Sequence, residues 1–269
     1  VPEQKDPDGN FPTCPYPNPE IFEALRLGLE LAERSGADLM LATDPDADRV
    51  GIAVRCKDGS YQLLTGNEVG VLLLDYICAG RIEKGTMPKN PVAVKSIVST
   101  EMARAICQHY GVTLFDVLTG FKFIAEMIHR FEIEHDHTFL FGFEESYGFL
   151  SGTDVRDKDG VNACMLIAET AAWYKKRGKT LYDALIELFE TYGYYGEKVT
   201  SFNLSGKDGL AKMQALMKNL RDNPPQAFGS FSVMAVRDYQ TGLRMEDGQA
   251  SHLGLPVSNV LYYELDRGA

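Results

Sequence analysis

The stretch "VAVKSIVSTEMARAICQHYGVTLFDVLTG", residues 92–120, reads as strand, helix, strand, with Gly111 closing the helix. The same alternation continues through "FKFIAEMIHRFE", a helix, and "HTFLFGFEE", a strand, to helices from about Val161 to Tyr192. Strand and helix in strict succession imply right-handed crossovers and a mostly parallel, three-layer sheet. Ligands of such sheets sit beyond the carboxyl ends of the strands, and both "LTGFK" and "GFEESYG" fall at strand ends.

Upstream, "VPEQKDPDGNFPTCPYPNPE" is a loop rich in Pro, Gly and Asn, with Asn18 as cap and Pro19 in the first turn of a helix. That helix, "EIFEALRLGLELAERSG", puts Phe22, Leu25, Leu29 and Ala32 on one face and stops at Gly36. A buried strand, "DLMLAT", then delivers "DPDADR", and "VGIAVRC", "KDGS" and "YQLLTG" suggest a hairpin. Thr65 and Glu68 form a capping box for a helix through Arg81. Three parts are expected: residues 1–88, residues 89–196, and residues 197–269 as part of a further α+β domain that includes "KVTSFNLSG", a helix ending near "RDNPP", "SFSVMAVRDY" and "NVLYYELDRG". The fold class is α/β, with αβα layers and mixed, mostly parallel sheets. The opening in a loop without Met and the close on a lone strand point to an excerpt of a longer chain.

The 269 residues carry 27 basic and 38 acidic side chains, a net charge of −11, which argues against general nucleic-acid or anionic-membrane binding. A phosphorylated ligand must therefore be met locally. Five scattered cysteines without a CxxC pair suggest neither a disulfide framework nor a zinc site, and a reducing cytoplasm fits. No signal peptide is present and no apolar run is long enough to span a bilayer.

"LMLATDPDADRVGIAV", residues 39–54, sets Asp44, Asp46 and Asp48 at every second position between apolar runs. Three crowded carboxylates repel one another, and a hard divalent cation relieves them. An EF-hand loop is excluded by Arg49 and Arg55 at its sixth and twelfth positions. A haloacid-dehalogenase-type phosphatase with Asp44 as nucleophile normally continues with Gly or Thr, where this chain has Ala47 after Asp46. A plain polar loop is the bland reading. Arg49 either forks onto a phosphate oxygen or pairs with one of the aspartates. His135 and His137 in "EHDHT" suit a solvated loop better than a metal site, and His109 and His129 suit helix ends.

The strings "DPDADR" and "FEESYG", in this order and separated by ~100 residues, resemble the magnesium loop and the sugar-recognition loop of the α-D-phosphohexomutases, with an α/β domain between them. This family includes phosphoglucomutases and phosphomannomutases. "DGNFPT", "LTGFKF", "GFEESYG" and "RDKDG" are most similar to its phosphoglucomutase/phosphopentomutase branch. The resemblance covers essentially the whole chain. It implies an isomerase that moves phosphate between C1 and C6 of a hexose through a phosphoserine and a bisphosphorylated intermediate, with Mg²⁺ as cofactor and glucose 1,6-bisphosphate as activator of the intact enzyme.

Carried over residue by residue, the resemblance assigns Mg²⁺ to Asp44, Asp46 and Asp48, and sugar hydroxyls to Glu144 and Ser146, with Glu145 between them facing elsewhere. Thr119, Gly120 and Lys122 in "LTGFKF" could meet a phosphate or sugar oxygen at a helix start, and Lys122 serves equally well as a solvated surface lysine. Lys158 in "RDKDG" matches a lysine near the reacting hydroxyl, and a depressed pKa would suit it to acid–base work. An exposed charge cluster with Arg156, Asp157 and Asp159 is the ordinary alternative.

The chain departs from the family in two places. The phosphoserine loop, of the type "TASHNP", should precede the aspartates. The one near match, "QASHLG" around Ser251, lacks Asn-Pro and follows the sugar loop, so Ser251 is not assigned as nucleophile. The phosphate loop of the type "RPSGTEP" is also absent. The expected partners are therefore a phosphorylated sugar and further domains of the same parent chain. A chain lacking those segments should be inactive alone. A haloacid-dehalogenase-type phosphatase and a non-catalytic sugar-phosphate binder stand as alternatives.

Overall fold

A computed structural model describes residues 1–200, 202, 204, 206 and 208–266. It divides into two compact units, Val1–Glu197 and Lys198–Ala269. Parts of "KVTSFNLSG" and the last two residues of "NVLYYELDRG" lie outside the described residues.

In the first unit, an extended opening segment leads into α1 (Phe22–Ser35). The helix begins later than Asn18 and Pro19 suggest, because Asn18 Oδ1 caps a local turn by accepting from the Glu20 amide, and Ile21 at the helix entry is extended. Leu25 and Ala32 are buried, whereas Phe22, expected on the same face, is largely exposed. Gly36 adopts φ 64°, the left-handed conformation that ends the helix where expected.

Strands β1 (Leu39–Thr43), β2 (Val50–Arg55) and β3 (Tyr61–Leu64) form an antiparallel sheet in the order β1-β2-β3. The aspartate loop is the turn between β1 and β2, closed in register by Thr43 opposite Val50. Helix α2 (Gly66–Glu83) starts on the full capping box: Glu68 N–H donates to Thr65 Oγ1 at 3.2 Å, and Thr65 N–H donates to Glu68 Oε2 at 2.7 Å.

The alternating region supplies β4 (Pro91–Ser96), α3 (Met102–Tyr110), β5 (Thr113–Val117), α4 (Phe121–Glu134) and β6 (Thr138–Glu144). A further strand, β7 (Gly148–Ser151), returns antiparallel on β6 straight after the "EESY" turn, giving the order β5-β4-β6-β7. Among the described residues parallel pairing is confined to this sheet, where β4 is flanked by β5 and β6, so the sheets are less parallel than the alternation implied. Buried on both sides, β4 carries no exposed position at all. Helices α5 (Gly160–Lys175) and α6 (Leu181–Tyr192) complete the unit, and α6 opens on its own capping box from Thr180 and Asp183.

One apolar core joins β2 and α2 to α3, β6, α5 and α6 through residues such as Val54, Leu73, Ile106, Phe141, Ile167 and Leu185. The boundary expected near residue 88 falls inside it. A buried aspartate, Asp75 on α2, sits at its edge and accepts hydroxyls from Tyr110 at 2.9 Å and Tyr192 at 3.2 Å. The five cysteines are free thiols.

In the second unit, α7 (Gly209–Asp222) precedes β8 (Ala227–Phe228), β9 (Phe231–Asp238), β10 (Leu243–Glu246), β11 (Gln249–His252) and β12 (Leu261–Leu265), all antiparallel, with β9 flanked by β10 and β12. Ser251 lies exposed on β11, the strand at the edge of this sheet. Among the described residues no helix is long and apolar enough to cross a membrane.

Candidate active site

Three strings far apart in sequence converge on one pocket of about 340 Å³, lined by Asp44, Asp46, Asp48, Arg49, Glu144, Ser146 and Lys158. Backbone hydrogen bonds bring them together. Val50 N–H donates to the Tyr147 carbonyl at 3.1 Å, Arg49 bridges to Gly148, and Gly160 N–H donates to the Ala47 carbonyl at 3.0 Å. The joint between "DPDADR" and "RDKDG" leaves no room for a side chain, since a Cβ on Gly160 would lie 2.5 Å from the Ala47 oxygen. Ala47 itself takes φ 56°, so the loop doubles back between the carboxylates.

Within this loop the three aspartates offer oxygens that lie within 4.8 Å of one another. Among the described residues this is the one cluster of its kind. Asp44 is 5 % exposed; its Oδ1 accepts the amides of Asp48 and Arg49, both at 3.1 Å, and its Oδ2 accepts Arg49 Nε at 2.7 Å. Arg49 reaches on to Glu20 at 3.2 Å. Of its two expected roles, the ion pair with an aspartate is the one present. Asp48 Oδ2 is paired with Lys158 Nζ at 2.8 Å.

The crowding sets the acidities apart. Burial raises the Asp44 carboxyl, but the bonds and charge of Arg49 outweigh it and leave the group below its ordinary value. At Asp48, burial and the neighbouring Asp44 charge prevail over Lys158 and leave it above. An all-oxygen donor set of unequal, mutually repelling carboxylates fits a hard divalent cation.

Lys158 corrects an expectation. Burial lowers its pKa, yet the bonds and charges of Asp48 and Asp157 more than offset this, so the ammonium is held above its ordinary value rather than below. Its alkyl stem lies against Gly148, where a Cβ would come 2.5 Å from Lys158 Cδ.

Glu144, at the end of β6, is 5 % exposed and accepts the Gly120 amide at 2.6 Å. Burial, assisted by the Glu145 charge, raises its pKa against the pull of that amide. Gly120 thus supports Glu144 rather than lining the pocket. Thr119 and Lys122 also stay out of the lining; both are exposed, and Lys122 Nζ lies 4.9 Å from the centre of the Phe123 ring. Glu145 faces elsewhere, accepting Ser96 Oγ at 2.8 Å and Ser99 Oγ at 3.1 Å. Its partners went unread in the sequence, where the only signal was a pair of serines three apart at a strand end.

A larger hollow of about 930 Å³ lies along residues 1–19 and α1, but Asp44 is the only one of the pocket's seven residues that it touches. Converging charge, not size, picks the smaller pocket.

Residues 1–59 match the family model for α/β/α domain II of phosphoglucomutase/phosphomannomutase, and residues 65–192 match its domain III. The chain belongs to the phosphoglucomutase/phosphomannomutase family. The phosphoglucomutase of Staphylococcus aureus strain MSSA476 is 40 % identical over 271 residues, spanning all of this chain and 48 % of the relative. The chain of strain N315 is 39 % identical over the same spans. This chain therefore corresponds to about half the length of the curated relatives it matches. For the fold, pp63/parafusin, a phosphoglucomutase of Paramecium, superposes on 94 % of this chain and 41 % of its own with TM-score 0.57 at 17 % identity. A phosphoglucomutase/phosphomannomutase family protein of Burkholderia thailandensis covers 85 % and 42 % with TM-score 0.55 at 18 % identity.

Proposed function

We propose that this chain carries the metal-holding and sugar-holding parts of a phosphosugar mutase that interconverts hexose 1- and 6-phosphates. The observation that carries the reading is the single pocket in which an aspartate triad, two cations, a buried carboxylate and a serine hydroxyl converge. Asp44, Asp46 and Asp48 would hold Mg²⁺, which when bound polarises a phosphoryl oxygen as a Lewis acid.

The other roles within this pocket fall to side chains of this chain. Arg49 presents a planar fork that suits a phosphate oxygen once Asp44 is otherwise engaged. Lys158, held protonated beside Asp48, supplies positive charge and a proton at Nζ to an oxygen leaving with negative charge. Glu144 and Ser146 would bond neighbouring sugar hydroxyls, orienting the ring so that either end can face the phosphoryl group. The family resemblance gives the phosphate donor and the second phosphate anchor to segments of a kind this chain does not contain, so the whole reaction, the bisphosphate activator and the partner domains are properties of a longer protein. Asp44 as the nucleophile of a phosphatase fits less well, because such a loop normally continues with Gly or Thr where this chain has Ala47 after Asp46.

Calorimetry of the chain with Mg²⁺ and glucose 1,6-bisphosphate tests this reading. Binding of both is expected, lost for the metal in Asp46→Asn/Asp48→Asn and weakened for the sugar in Glu144→Gln, together with no turnover of glucose 1-phosphate in a coupled assay. Unchanged metal binding in the double variant would overturn it.

A further inference from the structure

Between the two pocket-facing residues Glu144 and Ser146, Glu145 turns back into the protein. Its Oε2 accepts both Ser96 Oγ, 2.8 Å, and Ser99 Oγ, 3.1 Å, and its own amide donates to Ser99 Oγ at 3.2 Å. The two Oγ atoms lie 2.8 Å apart, so either hydroxyl can turn its one proton to the other serine instead of the carboxylate, and the Ser99 amide donates to Ser96 Oγ at 3.1 Å. Both are buried, at 0 % and 4 % exposure, at the carboxyl end of β4. Their hydroxyls are directional and uncharged. Releasing Glu145 would leave at least one buried hydroxyl proton without an acceptor, so the arrangement resists change. On the other side of the loop, Gly66 opens α2 directly beneath the Glu145 carbonyl, and any Cβ there would overlap that oxygen and crowd the Tyr147 amide. Tyr147, next in line, takes φ 68°, which reverses the chain into β7.

We propose that Glu145 is a positioning residue, clamped by Ser96 and Ser99 and seated on Gly66, that fixes the directions in which Glu144 and Ser146 enter the pocket. Its carboxylate does not touch the sugar. The inference rests on the sugar-holding role given above to Glu144 and Ser146. Glu144 ends β6 and Glu145 opens the turn, so holding the Glu145 side chain, amide and carbonyl fixes the peptide units on both sides of it, from which Glu144 and Ser146 depart.

Two measurements on the chain test the clamp: hydrogen exchange across residues 143–149, and calorimetry of glucose 1,6-bisphosphate in Mg²⁺. In Glu145→Ala, and in the double variant Ser96→Ala/Ser99→Ala, exchange of the loop amides should quicken and affinity should fall about tenfold, with Mg²⁺ affinity unchanged. Glu145→Gln should stay within about threefold of wild type, because its amide oxygen can accept the same hydroxyls. Glu144→Gln should weaken binding without changing loop exchange. Wild-type exchange in Glu145→Ala overturns the proposal, and so does a Glu145→Gln loss as large as that of Glu145→Ala, since the charge would then be meeting the ligand. Should Glu145→Ala not fold, the serine double variant decides on the same criteria. A wild-type chain that binds no bisphosphate would refute the mutase reading, whereas the exchange result still decides the clamp.

Discussion

The aspartate loop, Asp44–Arg49, and the sugar loop, Glu144–Gly148, face one another across the pocket but are held in opposite ways. The first is restrained by cations: Arg49 on Asp44 and Lys158 on Asp48. The second is restrained by neutral hydroxyls and by close backbone packing on Gly66. A cation restraint can be exchanged for another cation, or for a phosphate that draws the arginine away, at modest cost in a partly hydrated pocket. A buried hydroxyl clamp has no such substitute. One wall of the pocket is thus free to rearrange its charges during a reaction, while the other keeps the geometry of recognition.

Breaking the rigid wall should have the largest effect. Gly66→Ala forces a methyl into the Glu145 carbonyl, and the expected loss is about 3 kcal/mol of stability in urea titrations. A loss below about 1 kcal/mol would mean the loop yields easily. On the adaptable wall, Arg49→Met leaves the buried Asp44 with amides alone; about 2 kcal/mol should be lost without metal, and 10 mM Mg²⁺ should restore more stability to the variant than it adds to wild type. Equal Mg²⁺ effects on the two proteins would show that Arg49 and the cation do not compete. Glu144→Gln should cost about 2 kcal/mol in affinity for glucose 1,6-bisphosphate, read by calorimetry, since a charged acceptor becomes a neutral one in the same place.

The smallest effect concerns pH. Glu144 has a raised pKa in the folded chain, so the native state holds its proton more tightly than the unfolded state does. Stability at this site is therefore full below the ordinary glutamate range and falls as pH rises through that range to the raised value. The Glu144→Gln variant lacks that loss, so its urea midpoint should gain on wild type as pH rises from the ordinary glutamate range and then level off. A difference that is flat with pH would contradict the burial of a carboxylate that must ionise.

"DPDADR" and "GFEESYG" were legible because each sets polar residues at the end of an apolar strand, where water is excluded and a ligand is needed, whereas "RDKDG" was read only through the family resemblance. The strict alternation from Pro91 likewise revealed the parallel strands, and Thr65 with Glu68 marked the start of α2. The antiparallel first sheet follows from the tight turn between β1 and β2, whose six residues are too few for a crossover, and from the hairpin already read between β2 and β3. Other features depend on partners far away in the chain. Strand β7 escaped notice because "GFLS" is short and follows a turn already read as a binding loop. Phe22 was placed on an apolar helix face that turned out to be solvent-exposed at that end. The Lys158 shift went the other way because its nearest charges are Asp48 and Asp157, and the spacing of "RDKDG" does not reveal Asp48. Glu145 needed the most distant information, since Ser96 and Ser99 lie nearly fifty residues before it.

The bonds from Val50 to Tyr147 and from Gly160 to Ala47 each join residues about a hundred positions apart. Such closures are among the slowest events in folding, because a long loop must be ordered before any contact rewards it. The helices close only local hydrogen bonds within themselves and can form earlier, whereas the pocket can be assembled only when the long-range bonds close. Affinity for a divalent cation should therefore appear late on refolding, after the helical signal has recovered, and should vanish first on gentle unfolding. Cation binding thereby reports the completion of the whole first unit rather than the local state of a six-residue turn.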